Sequence, residues 1–357
     1  MKVLILAPHS SPIVTRLVES LKKRGDINVV LASFNAVGKE GVEDLGPLNS
    51  MLDYLKFWKV SKLVQRHKPD LIHAHISTHY GMLALFARVP VVVALWGSEI
   101  MLDSFSGSRP KQFLFRFFNY LAFRNSKCCH TSGRHIAETA FKISDIIRNK
   151  VHVFYWGFPL KASAKESLEE IGRRMKKEFL LDEKELIVFP RGLSPVYNPK
   201  LTALLADKLA RNSRISHTIV VLKGFASKSE LELFKSYLQS PDIVVIERLL
   251  TEAELYWLYT KTSFHFSIPF SDALGGGVIE PSLLGSYPIL SDIPSYNDFI
   301  NTHCGYLLKN NLSLNELDLL IEFMCSKPSV PDSLYLSYGE NKITEQIVDI
   351  YSKALAK

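Results

Sequence analysis

Cysteine is scarce in this chain, and what there is does not pair. The four thiols, Cys128, Cys129, Cys304 and Cys325, among 357 residues show no spacing of the kind that holds zinc and are too few for a disulfide framework. They point to a reducing compartment, the cytoplasm. Long apolar runs are missing as well. Nothing approaches the roughly 20 apolar residues of a membrane span, and the run before Pro8 is too short for the apolar core of a signal peptide. There is no long polar or low-complexity tract, and 47% hydrophobic with 22% charged residues excludes a disordered or fibrous chain. None of the usual nucleic-acid-binding motifs is present, so nucleic acid is not an expected partner.

What is present is enough chain for two cores. A length of 357 residues predicts two domains of roughly 150 to 180 residues each. The formal net charge of +7 is unevenly divided: residues 1–158 carry 21 Lys and Arg against 11 Asp and Glu, and the remainder 22 against 25. The first half is therefore expected to meet something anionic, either a phospholipid surface or a phosphorylated acceptor.

Periodicity supplies the fold class. Lys2 to Ala7 reads as a strand, and after a polar turn Ile13 to Arg24 reads as an amphipathic helix stopped by Gly25. Strands alternate with helices through Asn28–Ser33, Leu71–Ala74, Val89–Leu95, Ser126–Thr131 and Val151–Tyr155. The pattern restarts at Leu186 and runs through strands at Thr218, Ile243, Phe264 and Tyr287. Such alternation predicts α/β architecture, two doubly wound Rossmann-like domains in tandem, with ligands at the carboxyl ends of the strands. The expected boundaries are 1–160 for an acceptor-side domain, 161–184 for a charged crossing, 185–335 for a nucleotide-binding domain, and 336–357 for a C-terminal helix packing back on the first domain.

The most informative stretch is Ser267-Ile-Pro-Phe-Ser-Asp272-Ala-Leu-Gly275-Gly276-Gly277-Val-Ile-Glu280-Pro. An apolar strand ends in a loop with an acid and three glycines, and a helix then carries a second acid about one turn in. Backbone N–H groups at a glycine-rich helix start favour a phosphate, and a carboxylate one turn on can accept from vicinal hydroxyls. Three glycines alone equally describe a tight turn. The acid pair separated by seven residues, followed by a small-residue helix and a Pro-containing strand, resembles the family 4 glycosyltransferases and their GT-B relatives, in the subgroup whose first acid is Asp. The resemblance implies that Asp272 touches hydroxyls of the transferred sugar, that Gly275 to Gly277 face the diphosphate, and that Glu280 binds the ribose.

A second motif, Phe189-Pro-Arg191-Gly192-Leu-Ser-Pro195-Val196-Tyr197-Asn198-Pro199, follows the first strand of the second domain. The fixed charge of Arg191 suits a leaving diphosphate. The family often has Lys where this chain has Val196. The motif matches instead the subgroup with Pro-x-Tyr-Asn, which adds Tyr197 and Asn198 to the nucleotide-sugar site. Lys223 is the expected second cation, and Arg248 and Leu249 the expected neighbours of the base.

In the first domain, His73-Ala-His75 and Trp96-Gly97-Ser98-Glu99 resemble the family's paired-His strand end and Gly-Ser-Asp loop, with Trp96 where many relatives have His. His75, Gly97, Ser98 and Glu99, with His9, Ser10 and Ser11 of the first strand-to-helix loop, are the expected acceptor or sugar contacts, and His73 a structural residue. The helix around Phe113 to Arg124 is aromatic and basic, which fits either a core helix or a membrane-interface helix.

The resemblance covers nearly the whole chain. It implies a GT-B architecture with two domains facing across a cleft, and a retaining transfer of a sugar from a nucleotide diphosphate donor, UDP by default or GDP, to a glycan or lipid-linked acceptor. No cofactor is implied beyond the nucleotide sugar as co-substrate, and no metal, in keeping with the lack of an Asp-x-Asp pair. The expected place is the cytoplasm, or peripherally the inner face of a membrane. Two other readings remain open: a non-catalytic nucleotide- or glycan-binding partner on the same fold, and a sugar-nucleotide epimerase.

Overall fold

The computed structural model describes the chain except residues 102, 106, 310–313 and 357. It divides into two units: Met1–Phe158 joined by the segment from Glu340 onward, and Pro159–Gly339.

The first unit is built on seven strands: β1 (Lys2–Leu6), β2 (Asn28–Ser33), β3 (Val42–Asp44), β4 (Leu71–His75), β5 (Val91–Leu95), β6 (Cys128–Thr131) and β7 (Val151–Val153). They form one parallel sheet in the order β3-β2-β1-β4-β5-β6-β7. Helices on both faces leave no solvent side for the central strands, so β4 and β5 are buried at every residue and read as near-continuous apolar runs. The exceptions are His73 and His75 in β4, both at 0% exposure. Buried polar groups of this kind require partners.

The second unit repeats the plan with β8 (Leu186–Phe189), β9 (Thr218–Leu222), β10 (Ile243–Ile246), β11 (Thr262–Ser267), β12 (Tyr287–Ser291) and β13 (Tyr306–Leu308), all parallel, in the order β10-β9-β8-β11-β12-β13. Each sheet reverses its strand order once, and ligands of doubly wound sheets bind outside the carboxyl ends at such a switch. The two strands that periodicity does not reveal, β3 and β13, are three-residue edges, too short to show an alternation.

Residues 161–184, expected to be a crossing, do not stay apart from the cores. They hold the helix Leu168–Phe179, opened by a capping box in which Ser167 and Glu170 satisfy each other's backbone N–H. Its Ile171 and Met175, both fully buried, join Val188, Val220, Trp257 and Leu258 in a core of the second unit. Charged residues fill its outer face, which is why the segment looks like a linker. The C-terminal helix Glu340–Ala356 contributes to the first unit: Ile343, Ile347, Ile350, Tyr351 and Ala354 are buried along one stripe, Thr344 shares a 2.7 Å hydrogen bond with Ser20, and the Tyr351 hydroxyl lies 2.8 Å from His73 Nδ1.

Gly172 offers a test of the packed helix. A Cβ there would lie 2.5 Å from Trp257 Nε1, and the indole is buried and rigid. Alanine gains about 1 kcal/mol of helix propensity over glycine, but forcing volume into a packed core costs about 1–3 kcal/mol. Gly172→Ala is therefore expected to destabilise the second unit, and a urea midpoint at or above that of the parent would show that the helix is only loosely docked.

Candidate functional site

In the second unit β11 ends at Ser267, and the chain turns through Asp272 into the helix Gly276–Leu283. Arg191 lies just past the end of the adjacent strand β8. Its Nη2 donates to Asp272 Oδ1 at 2.7 Å, with the two side chains 17% and 9% exposed. The other oxygen, Oδ2, accepts from the Gly275 N–H at 3.2 Å and from the Tyr296 hydroxyl at 2.7 Å. Tyr296 is completely buried, and its hydroxyl also meets Ser267 Oγ at 2.7 Å. Asp272 thus uses both oxygens on the protein itself, where the sequence reading expected it to touch the sugar. Leu274, between Asp272 and the glycines, sits at φ +57°, a conformation that L-residues other than Asn or Asp adopt reluctantly.

The three glycines make room for this arrangement. A Cβ on Gly275 would lie 2.6 Å from Arg191 Nη1, one on Gly277 2.7 Å from Arg191 Cδ, and one on Gly276 2.9 Å from Glu280 Oε1. The helix start at Gly275 is capped by no side chain, so its positive end is directed at whatever occupies the loop. Burial by itself would lower the Arg191 pKa. The charge of Asp272, helped by the neighbouring tyrosines Tyr296 and Tyr197, outweighs that and raises it, so the guanidinium is always charged. Its centre stands 4.7 Å over the Tyr197 ring, and its Nε is buried with no hydrogen-bond partner among the described residues. Such an orphan donor beside glycine amides suits an anionic oxygen.

The loops after β8 and β9 touch through backbone. A Cβ on Gly192 would meet the Lys223 carbonyl at 2.9 Å, Gly224 has φ +60°, and the Leu193 N–H donates to that same carbonyl at 3.2 Å. Half-buried Lys223 therefore sits beside the Arg191 loop. Asn198, at φ +54°, is the residue on which the helix Pro199–Ala210 begins, without a side-chain cap.

The Arg248 side chain, expected with Leu249 next to the base, is engaged within the protein. Its guanidinium grips Glu178 at 2.6 and 2.8 Å and Glu254 at 2.7 and 2.9 Å, tying the helix Leu168–Phe179 to the loop after β10. Those hydrogen bonds to Arg248, followed by backbone and hydroxyl donors from Thr251, hold the Glu254 carboxyl at about 2 despite burial. Leu249 next to it is 53% exposed and remains available to a base.

In the first unit the expected residues separate into two kinds. The His9 N–H donates to Ser33 Oγ at 3.0 Å, and its Nδ1 lies 3.1 Å from the same hydroxyl. Ser10 is exposed, and Ser11 precedes the helix Pro12–Lys23 without capping it. Ser98 is exposed, but Glu99, expected as a ligand contact, is at 0% exposure. Its two oxygens accept from the Trp96 and Gly97 N–H groups at 2.9 and 3.1 Å. That pins a turn in which Gly97 has φ +113°. Burial raises the Glu99 pKa, against those backbone donors. Its work is to hold the loop.

His75 is also fully buried. Its Nδ1 accepts from Trp96 Nε1 at 3.2 Å, and because an indole only donates, the His75 proton resides on Nε2. That atom has no partner among the described residues. Next to it His73 joins Tyr351 through Nδ1 and His130 through Nε2, each at 2.8 Å, and the Trp156 ring contacts both His75 and His130. Immediately after β4, Ile76 has φ +63° and opens a π-helical turn, Ile76–Tyr80. Tyr296, His130 and Trp156 were not reachable from the sequence, since each acts through residues distant in the chain.

With this geometry in view, residues 3–157 match the family described as glycosyl transferase 4-like domain. Solved structures of similar fold include sucrose-phosphate synthase from Thermosynechococcus elongatus (TM-score 0.77, 11% identity, covering 100% of this chain and 99% of that one). Anabaena HepE in complex with UDP-glucose is also similar (0.72, 17%, 99% of each), as is UDP-GlcNAc 2-epimerase from Methanocaldococcus jannaschii (0.66, 16%, 99% of each). Among curated proteins, none matches this sequence. The fold is two-domain GT-B, and residues 3–157 resemble the glycosyl transferase 4-like domain.

Two outcomes follow from the site. Tyr296→Phe removes the hydroxyl that Asp272 Oδ2 accepts from, and losing a hydrogen bond to a buried charged group costs about 1.5–3 kcal/mol; a denaturation midpoint unchanged from the parent would mean that Tyr296 does not restrain Asp272. The histidine cluster gives a pH dependence. Burial lowers His73 to about 3, and burial followed by repulsion from His73 puts His75 and His130 well below the ordinary value. Unfolded histidines bind protons near 6.5, so the unfolded state takes up more protons between about pH 6.5 and 3. The first unit should lose stability as pH falls through that window and gain none above it, as thermal unfolding at stepped pH would register.

Proposed function

We propose that this chain is a glycosyltransferase that moves a sugar from a nucleotide diphosphate donor, a UDP-sugar, to a glycan or lipid-linked acceptor of cell-surface polysaccharide or glycolipid synthesis. The observation that carries the reading is the always-charged Arg191, its Nε unpartnered among the described residues, packed against the glycine-walled start of a helix that presents Glu280 one turn in. The sequence match of residues 3–157 supports the reaction class. The fold of a protein solved with UDP-glucose supports the donor class.

In this reading the diphosphate lies at the Gly275–Gly277 amides. Arg191 and Lys223 stabilise the charge that grows on it as the glycosidic bond breaks, and Glu280 accepts from the ribose hydroxyls. Positive groups fixed in place before the reaction cost no reorganisation when that charge develops. They supply what a metal ion would otherwise provide, so we infer metal-independent transfer; the resemblance to family 4 supports retention of configuration. Asp272 acts as the orienting partner of Arg191, with Tyr197 beneath the guanidinium and Asn198 shaping the loop. Leu249 borders the base. On the first unit, Ser10 and Ser98 are the exposed candidates for acceptor or sugar contact, with His9 beside Ser10 in sequence. The enzyme would work in the cytoplasm or peripherally on the inner face of a membrane.

Calorimetry with UDP tests the donor site. Glu280→Gln should weaken UDP binding by about 1.5–3 kcal/mol, the worth of a hydrogen bond to a charged group, and unchanged affinity would remove Glu280 from the ribose. Arg191→Lys keeps a charge opposite Asp272 but loses the planar fork, so it should lower the rate of UDP release from UDP-sugars more than it lowers UDP affinity. The fold of an epimerase makes the product worth identifying: free UDP supports transfer, an isomerised sugar supports epimerisation, and neither supports a binding partner without catalysis.

A further inference from the structure

The helix Arg109–Asn125 presents to water a face that a surface helix ordinarily keeps polar. Its buried side is formed by Asn119, Ala122 and Phe123. Asn119 is held there by hydrogen bonds to the Glu99 carbonyl and Ser104 Oγ at 3.1 and 3.0 Å. That accounts for the inward half of its apolar content. On the opposite side Phe113 is 72% exposed, Leu114 46%, Phe117 45% and Tyr120 37%, a stripe at i, i+4 and i+7 with Leu114 alongside. The rings of Phe113 and Phe117 run nearly parallel at 6.5 Å, so the outward face is a continuous aromatic ridge.

The charges on the helix itself are of one sign. The helix contains Arg109, Lys111, Arg116 and Arg124 and not a single Asp or Glu. Arg116 is occupied, donating to the Ser104 carbonyl at 2.9 Å and lying over the Phe105 ring at 4.3 Å. Lys111 reaches Asp103 at 3.4 Å with both groups partly exposed, a pair weak enough to exchange partners. Arg109 and Arg124 stand exposed at the two ends of the ridge. Among the described residues no helix is long and apolar enough to cross a membrane.

We propose that this ridge docks the first unit onto an anionic lipid surface, with Phe113, Leu114 and Phe117 entering the interface and Arg109, Lys111 and Arg124 lying among the headgroups. Charge complementarity selects this occupant. Apolar side chains with Tyr at the edge and cations around them match the layered chemistry of a leaflet. A second copy of the same face would bring like charges together. The proposal rests on the transferase reading only in giving the docked enzyme access to a lipid-linked acceptor; the surface itself is argued independently of it.

Flotation of the full chain with vesicles of phosphatidylcholine alone or mixed with phosphatidylglycerol tests the idea. Binding is expected only with the anionic lipid and should weaken as salt shortens the screening length below about 8 Å. Phe113→Ser with Phe117→Ser should lower the partition coefficient at least about tenfold, since the buried rings provide the apolar part of the attraction. UDP binding by the same variant should equal that of the parent, which shows that it is folded. No association at low salt, or equal association with neutral vesicles, overturns the proposal. So does sedimentation showing a dimer that the double variant abolishes, because the ridge would then be an interface between copies. Vesicle binding by a parent that fails to bind UDP would leave docking standing and defeat the donor reading instead.

Discussion

The ion pair between Arg191 and Asp272 takes two charges largely out of water, and the end of the second sheet is arranged around that fact. Removing one member of a buried pair leaves the other uncompensated, at about 3–5 kcal/mol, so neither side chain is free to move independently. The guanidinium comes close enough to the loop after β11 that Gly275 and Gly277 admit no Cβ. Asp272, to hold its place, takes a hydroxyl from Tyr296 across 24 residues of sequence and an N–H from Gly275. The left-handed Leu274 is the local strain this geometry carries.

A paired arginine attracts anions less than a lone one. With Asp272 at 2.7 Å the local charge is near zero, and attraction for an anion falls to the donors around the pair. Those donors are the helix start at Gly275, which has no side-chain cap, Arg191 Nε, which has no partner among the described residues, and Lys223 beside the abutting Gly192 and Gly224 loops. What the pair contributes is fixed direction. Preorganised donors act on developing charge without first having to turn.

The first unit handles its polar residues differently. His73, His75 and His130 are driven neutral by burial and serve as hydrogen-bonding groups. Trp96 donates to His75 and so sets its tautomer. The C-terminal helix closes this network through the Tyr351 hydroxyl, which ties the last turns of the chain to the strand end at β4. Glu99 shows the same economy, with both oxygens turned onto its own loop.

The sequence by itself determined the fold class and the positions of most strands along the chain, because strands of a parallel sheet covered on both faces must be apolar along their whole length. It also singled out Arg191, Asp272, Gly275–Gly277 and Glu280, since a glycine-rich loop with spaced acids is a local pattern. The role of each polar residue was another matter. Asp272 and Arg191 lie 81 residues apart, and nothing local says that one saturates the other. Glu99 looks like a ligand contact until the Trp96–Gly97 amides are brought against it, and nothing local pairs the Arg248 side chain with Glu178 and Glu254. The helix Leu168–Phe179 looked like a linker because its charged face outnumbers the few side chains it buries. Phe113, Phe117 and Phe123 share one helix, yet only packing divides them into exposed and buried. Whether a polar atom meets water, a ligand or another residue depends on chain segments far away in sequence, and tertiary structure alone decides it.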